Sequence, residues 1–275
     1  MNVLLTGAQG NFGVEFCRQA QNKADLTVIP VGRDDWASID QKLATASVVI
    51  HAASDLRTSA AASPTKLLNS NLMSTAALLE ASRKQAIKKF IFLSSCAVYG
   101  EDMTTAETSL CCPISINGIS KHLNEKLIAE FCTFNAIEYQ IVRVFNSYGG
   151  RDNFSILSRL KQSLLLGTPF TLNNNGRMLR DFIHIADVAA ILVKLATTDI
   201  THTHVNVGTG VATKISSLVD MVTAQFPQLV IKQGWSQEAE YSRADTTRLR
   251  EVWTADFVRI EDYVQDEFRA YVKAG

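Results

Sequence analysis

Asn2-Val3-Leu4-Leu5-Thr6-Gly7-Ala8-Gln9-Gly10-Asn11-Phe12-Gly13 is the stretch whose reading decides the fold. Residues 2–6 are a short apolar run with strand character, and glycines at every third position follow it directly. A helical pattern then runs to about Lys23, and Leu26-Thr27-Val28-Ile29-Pro30-Val31 is the next apolar run. Strand, glycine turn, helix and strand within about thirty residues make a βαβ unit of the size of a dinucleotide-binding half. Glycines there let the backbone turn tightly and approach a pyrophosphate, which the positive end of the helix favours. A glycine triplet alone says little; its place between a strand and a helix gives it meaning.

Working outward, further strands are expected at Ser47-Val48-Val49-Ile50-His51, at residues 89–93 and at residues 139–144. Helical patterns lie between them, near 65–86 and 117–134, the second with Ile119, Leu123, Leu127, Ile128 and Phe131 at three- and four-residue steps. Strands rich in β-branched residues, alternating with helices, specify a parallel sheet covered on both faces. After Gly150 the texture changes. Helices are expected near 153–166 and over 185–195, 213–225 and 260–272, with strands at 170–172 and 203–207. The predicted fold is a Rossmann-type doubly wound α/β domain over 1–150, completed by about 182–209. Residues 151–275 mainly form a smaller C-terminal α/β substrate lobe, and ligands bind where the strands' carboxyl ends meet it.

Composition narrows the function. With 27 basic and 27 acidic residues the formal charge is zero, which gives no footprint for nucleic acid and no polybasic membrane anchor. No apolar run approaches the ~18–20 residues of a membrane span. The first residues read as a strand rather than a secretory leader. Cys17, Cys96, Cys111, Cys112 and Cys132 are an odd number without metal-ligand spacing, so reduced thiols and a cytoplasmic location are expected. His202 and His204 share one strand face, but no third ligand stands near them, so no metal site is expected.

The first loop resembles the Thr-Gly-x-x-Gly-x-x-Gly loop of extended short-chain dehydrogenases, the nucleotide-sugar epimerase/dehydratase/reductase family. Further stretches resemble that family in order: His51-Ala52-Ala53-Ser54, Asn71 within residues 69–75, Ser94-Ser95-Cys96-Ala97-Val98-Tyr99-Gly100 and residues 143–149. Residues 180–188 and Asn206-Val207-Gly208-Thr209-Gly210 complete the series. The resemblance implies hydride exchange between a nicotinamide and a sugar carbon. It places cofactor contacts at Thr6, Gly7, Gly10, Asn11, Phe12 and Gly13, and at His51, Ala52, Ala53, Asn71 and Lys121. It also implies a nucleotide-sugar substrate and a homodimer through the helices near 65–86 and 117–134.

In that family a tyrosine moves the hydroxyl proton, a lysine four residues on holds the ribose, and a serine orients the sugar oxygen. Carried over, the serine is Ser95 and the lysine is Lys121, but the tyrosine position is Asn117. An amide has no acid–base capacity near neutral pH. Asn117 either caps its helix or keeps a polar contact to substrate. No tyrosine of the chain has a lysine four residues later. The substitute carriers are Cys96, Cys111, Cys112, His122, Tyr99 or a water held by Ser95 and Asn117.

At the end of the second strand the chain reads Val31-Gly32-Arg33-Asp34-Asp35, with glycine where NAD-preferring relatives carry an acid. Arg33 suits a 2′-phosphate, which favours NADP(H) over NAD(H), and Trp36 to Asp40, Ser38 included, are expected along the adenine. Substrate contacts implied by the resemblance are Ser95, Asn146, Arg180 on the diphosphate, Phe170 with Leu172 near the base, and Arg243. Three readings follow. The first is an NADPH-dependent 4-keto-sugar reductase, the second an NAD-dependent nucleotide-sugar 4-epimerase, and the third a catalytically silent dinucleotide-binding sensor or scaffold.

Overall fold

The computed structural model describes residues 1–55, 63–101, 105–236 and 239–268. The chain opens with β1 (Asn2–Thr6), α1 (Asn11–Ala20), β2 (Thr27–Val31), α2 (Ile39–Leu43) and β3 (Val48–His51). Helix α3 (Pro64–Leu67) passes through a wider π-type turn over Leu68–Met73 into α4 (Ser74–Arg83). Strand β4 (Lys89–Ser95), α5 (Ile116–Phe134), β5 (Glu138–Val144) and β6 (Asn146–Tyr148) follow. Next come α6 (Ile156–Leu166), β7 (Phe170–Asn173), β8 (Leu179–His184), α7 (Ile185–Thr197) and β9 (His204–Val207). The last elements are β10 (Ala212–Lys214), α8 (Ile215–Gln225), β11 (Ile231–Gly234), β12 (Tyr241–Ser242), α9 (Thr247–Arg250) and α10 (Ile260–Tyr263).

Six strands form a wholly parallel sheet in the order β2-β1-β3-β4-β5-β9. Alternation along β1 shows why both faces are covered. Val3 and Leu5 pack with Phe16 of α1 and Val188 and Leu192 of α7, whereas Leu4 packs on the other side with Leu78 of α4 and Ile128 of α5. All eight side chains are within 1% of fully buried, each worth roughly 1.5–3 kcal/mol against exposure. The chain leaves β1 for β2 on one side and crosses to β3 on the other. That reversal opens a crevice at the carboxyl ends of β1 and β3, the place where such sheets bind ligands.

The smaller lobe has its own core, which includes Leu157, Leu160, Phe170, Leu218, Val222 and Phe268. Within it β8 pairs antiparallel with β10 and parallel with β6 and β12, and β7 pairs with β11. Helix α6 starts later than its apolar pattern suggests because the Ser155 hydroxyl caps it, accepting from Ser158 N at 3.2 Å. It stops at Gly167, whose φ of 61° is left-handed. Helix α7 and β9 return to the large sheet, where β9 pairs with β5 and the Gln19 amide donates to Ala186 O at 2.7 Å.

Several short strands, such as β8 with Leu179-Arg180-Asp181-Phe182, carry no apolar run and no clean alternation, so pattern reading passed them by. The expected helix 260–272 is α10 followed by a wide turn over Val264–Phe268, and its end lies outside the described residues. Among the described residues no helix is long and apolar enough to cross a membrane.

Candidate active site

The crevice is a cleft of about 1440 Å³ between the large sheet and the smaller lobe. One end is made by the first loop. Gly7 has φ +72°, and a Cβ there would stand 2.8 Å from Ala53 N; a Cβ on Gly13 would stand 2.3 Å from Gly7 O. Neither position tolerates a side chain, so strand, loop and helix pack backbone to backbone. Gly7, Gly10, Asn11, Phe12 and Gly13 line the cleft, and α1 begins at Gly10 without a side-chain cap, its first N–H groups left to other acceptors. Such a cradle fits a pyrophosphate.

Other expected cofactor residues divide into two groups. Ala52, Ala53 and Arg33, with Trp36, line the cleft. Thr6 and His51 are fully buried and spend their side chains on the scaffold: Thr6 Oγ1 lies 2.7 Å from His51 Nδ1, and His51 Nε2 lies 2.9 Å from Thr75 Oγ1. Burial, with the Lys121 charge, pushes the His51 imidazole down to about 3. Asn71 clips the loop after β3, accepting from Asp55 N at 2.6 Å and donating to Asp55 O and to Ser120 Oγ. Asn11 ties α1 to the 149–151 loop, accepting from Arg151 N at 2.6 Å. The Ser38 hydroxyl donates to Asp35 O at 3.0 Å.

At the far end, Asn146, Phe170, Leu172 and Arg180 line the cleft, joined by Arg151 and Arg159. Arg180 donates to the carbonyls of Leu179 and Ala239, which fixes its guanidinium at the wall. Arg243 is exposed and stands off the cleft lining; its carbonyl accepts from the Thr105 hydroxyl. Asp181 is the organiser that sequence reading passed over. Its carboxylate accepts from the backbone N–H groups of Thr209, Gly210 and Ala244 at 2.8–3.0 Å, pinning two loops beside Arg180.

Ser95 ends β4, and Asn117 and Lys121 stand on the first turns of α5, which packs against the end of that strand; none of the three is among the residues that line the cleft. Helix α5 begins there because Ser115, not Asn117, is its cap, with Ser115 Oγ accepting from Gly118 N at 3.1 Å. Asn117 is thus inside the first turn. Its Oδ1 is buried with no hydrogen-bond partner among the described residues. Gly118 presses on the Ala97 carbonyl, where a Cβ would stand 2.3 Å away. One turn on, Lys121 is 5% exposed, donates to Leu93 O at 2.6 Å and lies 4.7 Å from the centre of the Phe92 ring. Burial lowers its amine to about 8 against the opposing pull of Glu125. Ser95 Oγ accepts from Ala97 N at 3.2 Å, which leaves its proton to donate.

Behind Lys121 is a buried ion pair that the sequence did not announce. Arg143 Nη2 donates to Glu125 Oε2 at 2.8 Å and Nε to Oε1 at 3.1 Å, and Ser94 Oγ adds a third donor at 2.5 Å. Arg143 also donates to the Tyr99 hydroxyl, which in turn donates to Asn206 Oδ1 at 2.6 Å. Tyr99 is 1% exposed, and burial pushes its phenol up. Burial likewise raises the Cys96 and Cys111 thiols. Cys111, His122 and Glu125 bring ligand atoms within 4.8 Å of one another, but the carboxylate of this trio is already held by Arg143 and Ser94. Cys112 is exposed.

The fold is a Rossmann-type sheet whose cleft has one arm at the glycine loop and a second at Arg180 and Phe170. The profile of the NAD dependent epimerase/dehydratase family matches residues 3–208, and the chain belongs to that family. It is 31% identical over 183 residues to a putative UDP-glucose 4-epimerase of Methanocaldococcus jannaschii, covering 64% of this chain and 59% of that protein. The chain spans about three fifths of the length of the first curated relatives it matches. Among solved structures it resembles a Bacillus cereus UDP-glucuronic acid 4-epimerase in complex with UDP-glucuronic acid and NAD. The TM-score is 0.91 at 24% identity, covering 100% of this chain and 99% of that one. It also resembles MoeE5 in complex with UDP-glucuronic acid and NAD, with a TM-score of 0.89 at 25% identity and coverage of 100% and 99%.

Proposed function

We infer that this chain is an NAD(H)-linked oxidoreductase of nucleotide-activated sugars, acting as a 4-epimerase. The observation that carries the reading is the continuity of one cleft. It runs from the glycine cradle at Gly7–Gly13, past Ala52 and Ala53 and then Asn146 and Ser147, to Arg180 and Phe170. A dinucleotide laid along the first arm and a nucleoside diphosphate along the second would meet at Ser95, with a sugar hydroxyl at the junction. Relatives named as 4-epimerases, and similar structures that hold NAD, support this reaction over net reduction.

Gly7, Gly10, Gly13, Ala52 and Ala53 would hold the dinucleotide through its backbone-facing edges, with Trp36 beside the adenine. When bound, it supplies a hydride acceptor and donor. The chain does the rest: Arg180 and Arg159 neutralise the diphosphate with forked donors, Ser95 donates to the sugar oxygen, and the smaller lobe walls the far side of the cleft. The exposed apolar side chains Ile119, Leu123 and Met73 on α5 and the turn before α4 support a homodimer through that face.

A specific observation keeps the NADPH-dependent 4-keto-sugar reductase as the second reading: Arg33 is exposed on the cleft wall beside Gly32. The test is the purified protein with UDP-glucose and UDP-glucuronic acid, watched by proton NMR for inversion at C4. Inversion sustained without added cofactor, together with bound-NAD absorbance, is expected. Keto-sugar-dependent NADPH oxidation without inversion replaces the epimerase by the reductase, and tight binding with no turnover by the sensor.

A further inference from the structure

We propose that Lys121 itself takes and returns the proton of the sugar hydroxyl, through one water seated between its Nζ and the Asn117 amide oxygen, while the Ser95 hydroxyl holds the sugar oxygen. The proposal rests on the oxidoreductase reading above and supplies the acid–base group that Asn117 cannot be.

The geometry comes from how α5 runs back along β4. Gly118 touches the Ala97 carbonyl and Lys121 Nζ touches the Leu93 carbonyl, so the helix descends as the strand rises. Ser95 lies two residues beyond Leu93 on the same strand face, about 6.6 Å along the strand. Asn117 lies one turn before Lys121, about 6 Å along the helix and on the same face. A single water making two hydrogen bonds spans roughly 5.6 Å. Ser95 is thus one strand repeat, and Asn117 one helical turn, from the point where Nζ meets Leu93 O, and the water is placed among these three groups.

The donors and acceptors match that water. It would donate one proton to Nζ and the other to Asn117 Oδ1, the buried acceptor with no partner among the described residues. It would accept from the sugar hydroxyl, while Ser95 donates to the same sugar oxygen. A neutral amine still has an N–H for Leu93 O. The step balances: the hydroxyl gives its proton to the water as the water gives one to Nζ, forming an ammonium. The C–H electron pair leaves as hydride to an oxidised nicotinamide dinucleotide, and a ketone forms. Return of hydride and proton runs the same bonds backwards.

The surroundings make lysine a workable base at neutral pH. Phe92 and Leu93 of β4 present a ring and a carbonyl to Nζ, and His51 of β3 is kept neutral by burial. Glu125, one turn on, pulls the amine upward, but its charge is shared with Arg143 of β5 and Ser94. Tyr99 is consumed by Asn206 and Arg143. The Cys96 sulfur accepts from the Ser242 hydroxyl, and burial raises its thiol.

Three measurements test this together. Competitive acetylation across pH, read by mass spectrometry, titrates Lys121 directly; calorimetry gives NAD and UDP-sugar affinities; and kcat is followed against pH. Lys121 is expected to titrate near pH 8, with a matching limb in kcat that rises through that pH. Lys121→Arg cannot release its proton, so it should keep both affinities within about threefold yet lose kcat by at least about a hundredfold. Lys121→Gln serves if the arginine variant does not fold. Asn117→Tyr, which brings in a phenol, should raise kcat by about tenfold or more and abolish the limb near pH 8. Lys121 titrating above pH 10, or a limb near pH 8 that survives in Lys121→Gln, overturns the proposal. Failure of the wild type to bind either ligand overturns the functional reading instead, and the acetylation titration still judges Lys121.

Discussion

The glycine-loop wall of the cleft and the corner at the end of β4 are built on different principles. The wall is mostly backbone: Gly7 and Gly13 permit contacts that no Cβ allows, and Ala52 and Ala53 continue the same surface. The corner is side-chain chemistry: Lys121, Asn117 and Ser95, backed by the Glu125–Arg143 pair. A wall of shape tolerates substitution around it but not within it. A corner of functional groups can exchange one member and keep its place in the fold. On the proposed function, that difference would let the chain keep its cleft while one member of the corner, Asn117, is exchanged.

The wall should break most sharply at Gly13. Gly13→Val would drive side-chain atoms into Gly7 O and Ala8 Cα, and the first loop would have to open. NAD affinity should fall by at least about a hundredfold, more than 2.7 kcal/mol, with a lowered melting temperature. Calorimetry checks it, and an unchanged affinity would mean the dinucleotide lies elsewhere.

The corner should break first in stability. Glu125→Gln leaves Arg143 buried with a neutral partner, and removing one member of a buried pair costs about 3–5 kcal/mol. Thermal melting should drop by roughly 6–20 °C for a chain of this size. Where the variant still folds, the loss of the Glu125 charge should move the Lys121 titration to lower pH, because that charge now raises it. A melting point within 2 °C of wild type would show that the pair is structurally idle.

On the second arm, Arg180→Ala should weaken UDP-sugar binding by about tenfold or more, and Arg180→Lys by less, because a lysine keeps charge but not the fork. NAD affinity should not move. An equal loss for both ligands would make Arg180 part of the scaffold rather than of the nucleotide arm.

How much of this was legible in the sequence follows the same division. The large sheet was, because β1, β3, β4 and β5 are continuous apolar runs and the glycine loop has one physical use. Cleft residues on the wall were reached too, since Gly13, Ala53, Phe170 and Arg180 sit in stretches of recognisable pattern. Thr6 and His51 show the limit: the motif places them beside the cleft, but alternation along β1 and β3 turns both side chains inward to each other. Glu125, Arg143 and Asp181 were missed for a different reason. Each is a charged residue whose partners lie 18 to 63 positions away, and no local pattern encodes such pairings.

The smallest effect concerns the edge of the wall at the end of β2, proposed to choose the cofactor. Gly32, at the end of β2, has no acid of its own, and by sequence Arg33 speaks for a 2′-phosphate. The turn returns a carboxylate to the spot: Asp35 Oδ2 accepts from Gly32 N at 2.7 Å, and Oδ1 pairs with Lys42 at 2.9 Å. A carboxylate there repels a phosphate and suits a ribose diol, while the exposed Arg33 pulls the other way. Lys42 halves the argument for Asp35, and solvent halves the argument for Arg33, so each variant should act by only a few-fold. Asp35→Asn should narrow the margin of NAD over NADP, and Arg33→Ala should widen it, with affinities read from calorimetry at low and at moderate salt. Salt should shrink the Arg33 effect more, because that guanidinium is the more exposed of the two. Wild-type protein that binds NADP(H) the tighter, and loses that preference in Arg33→Ala, would return the reaction to a dissociable reductant and the protein to the reductase reading.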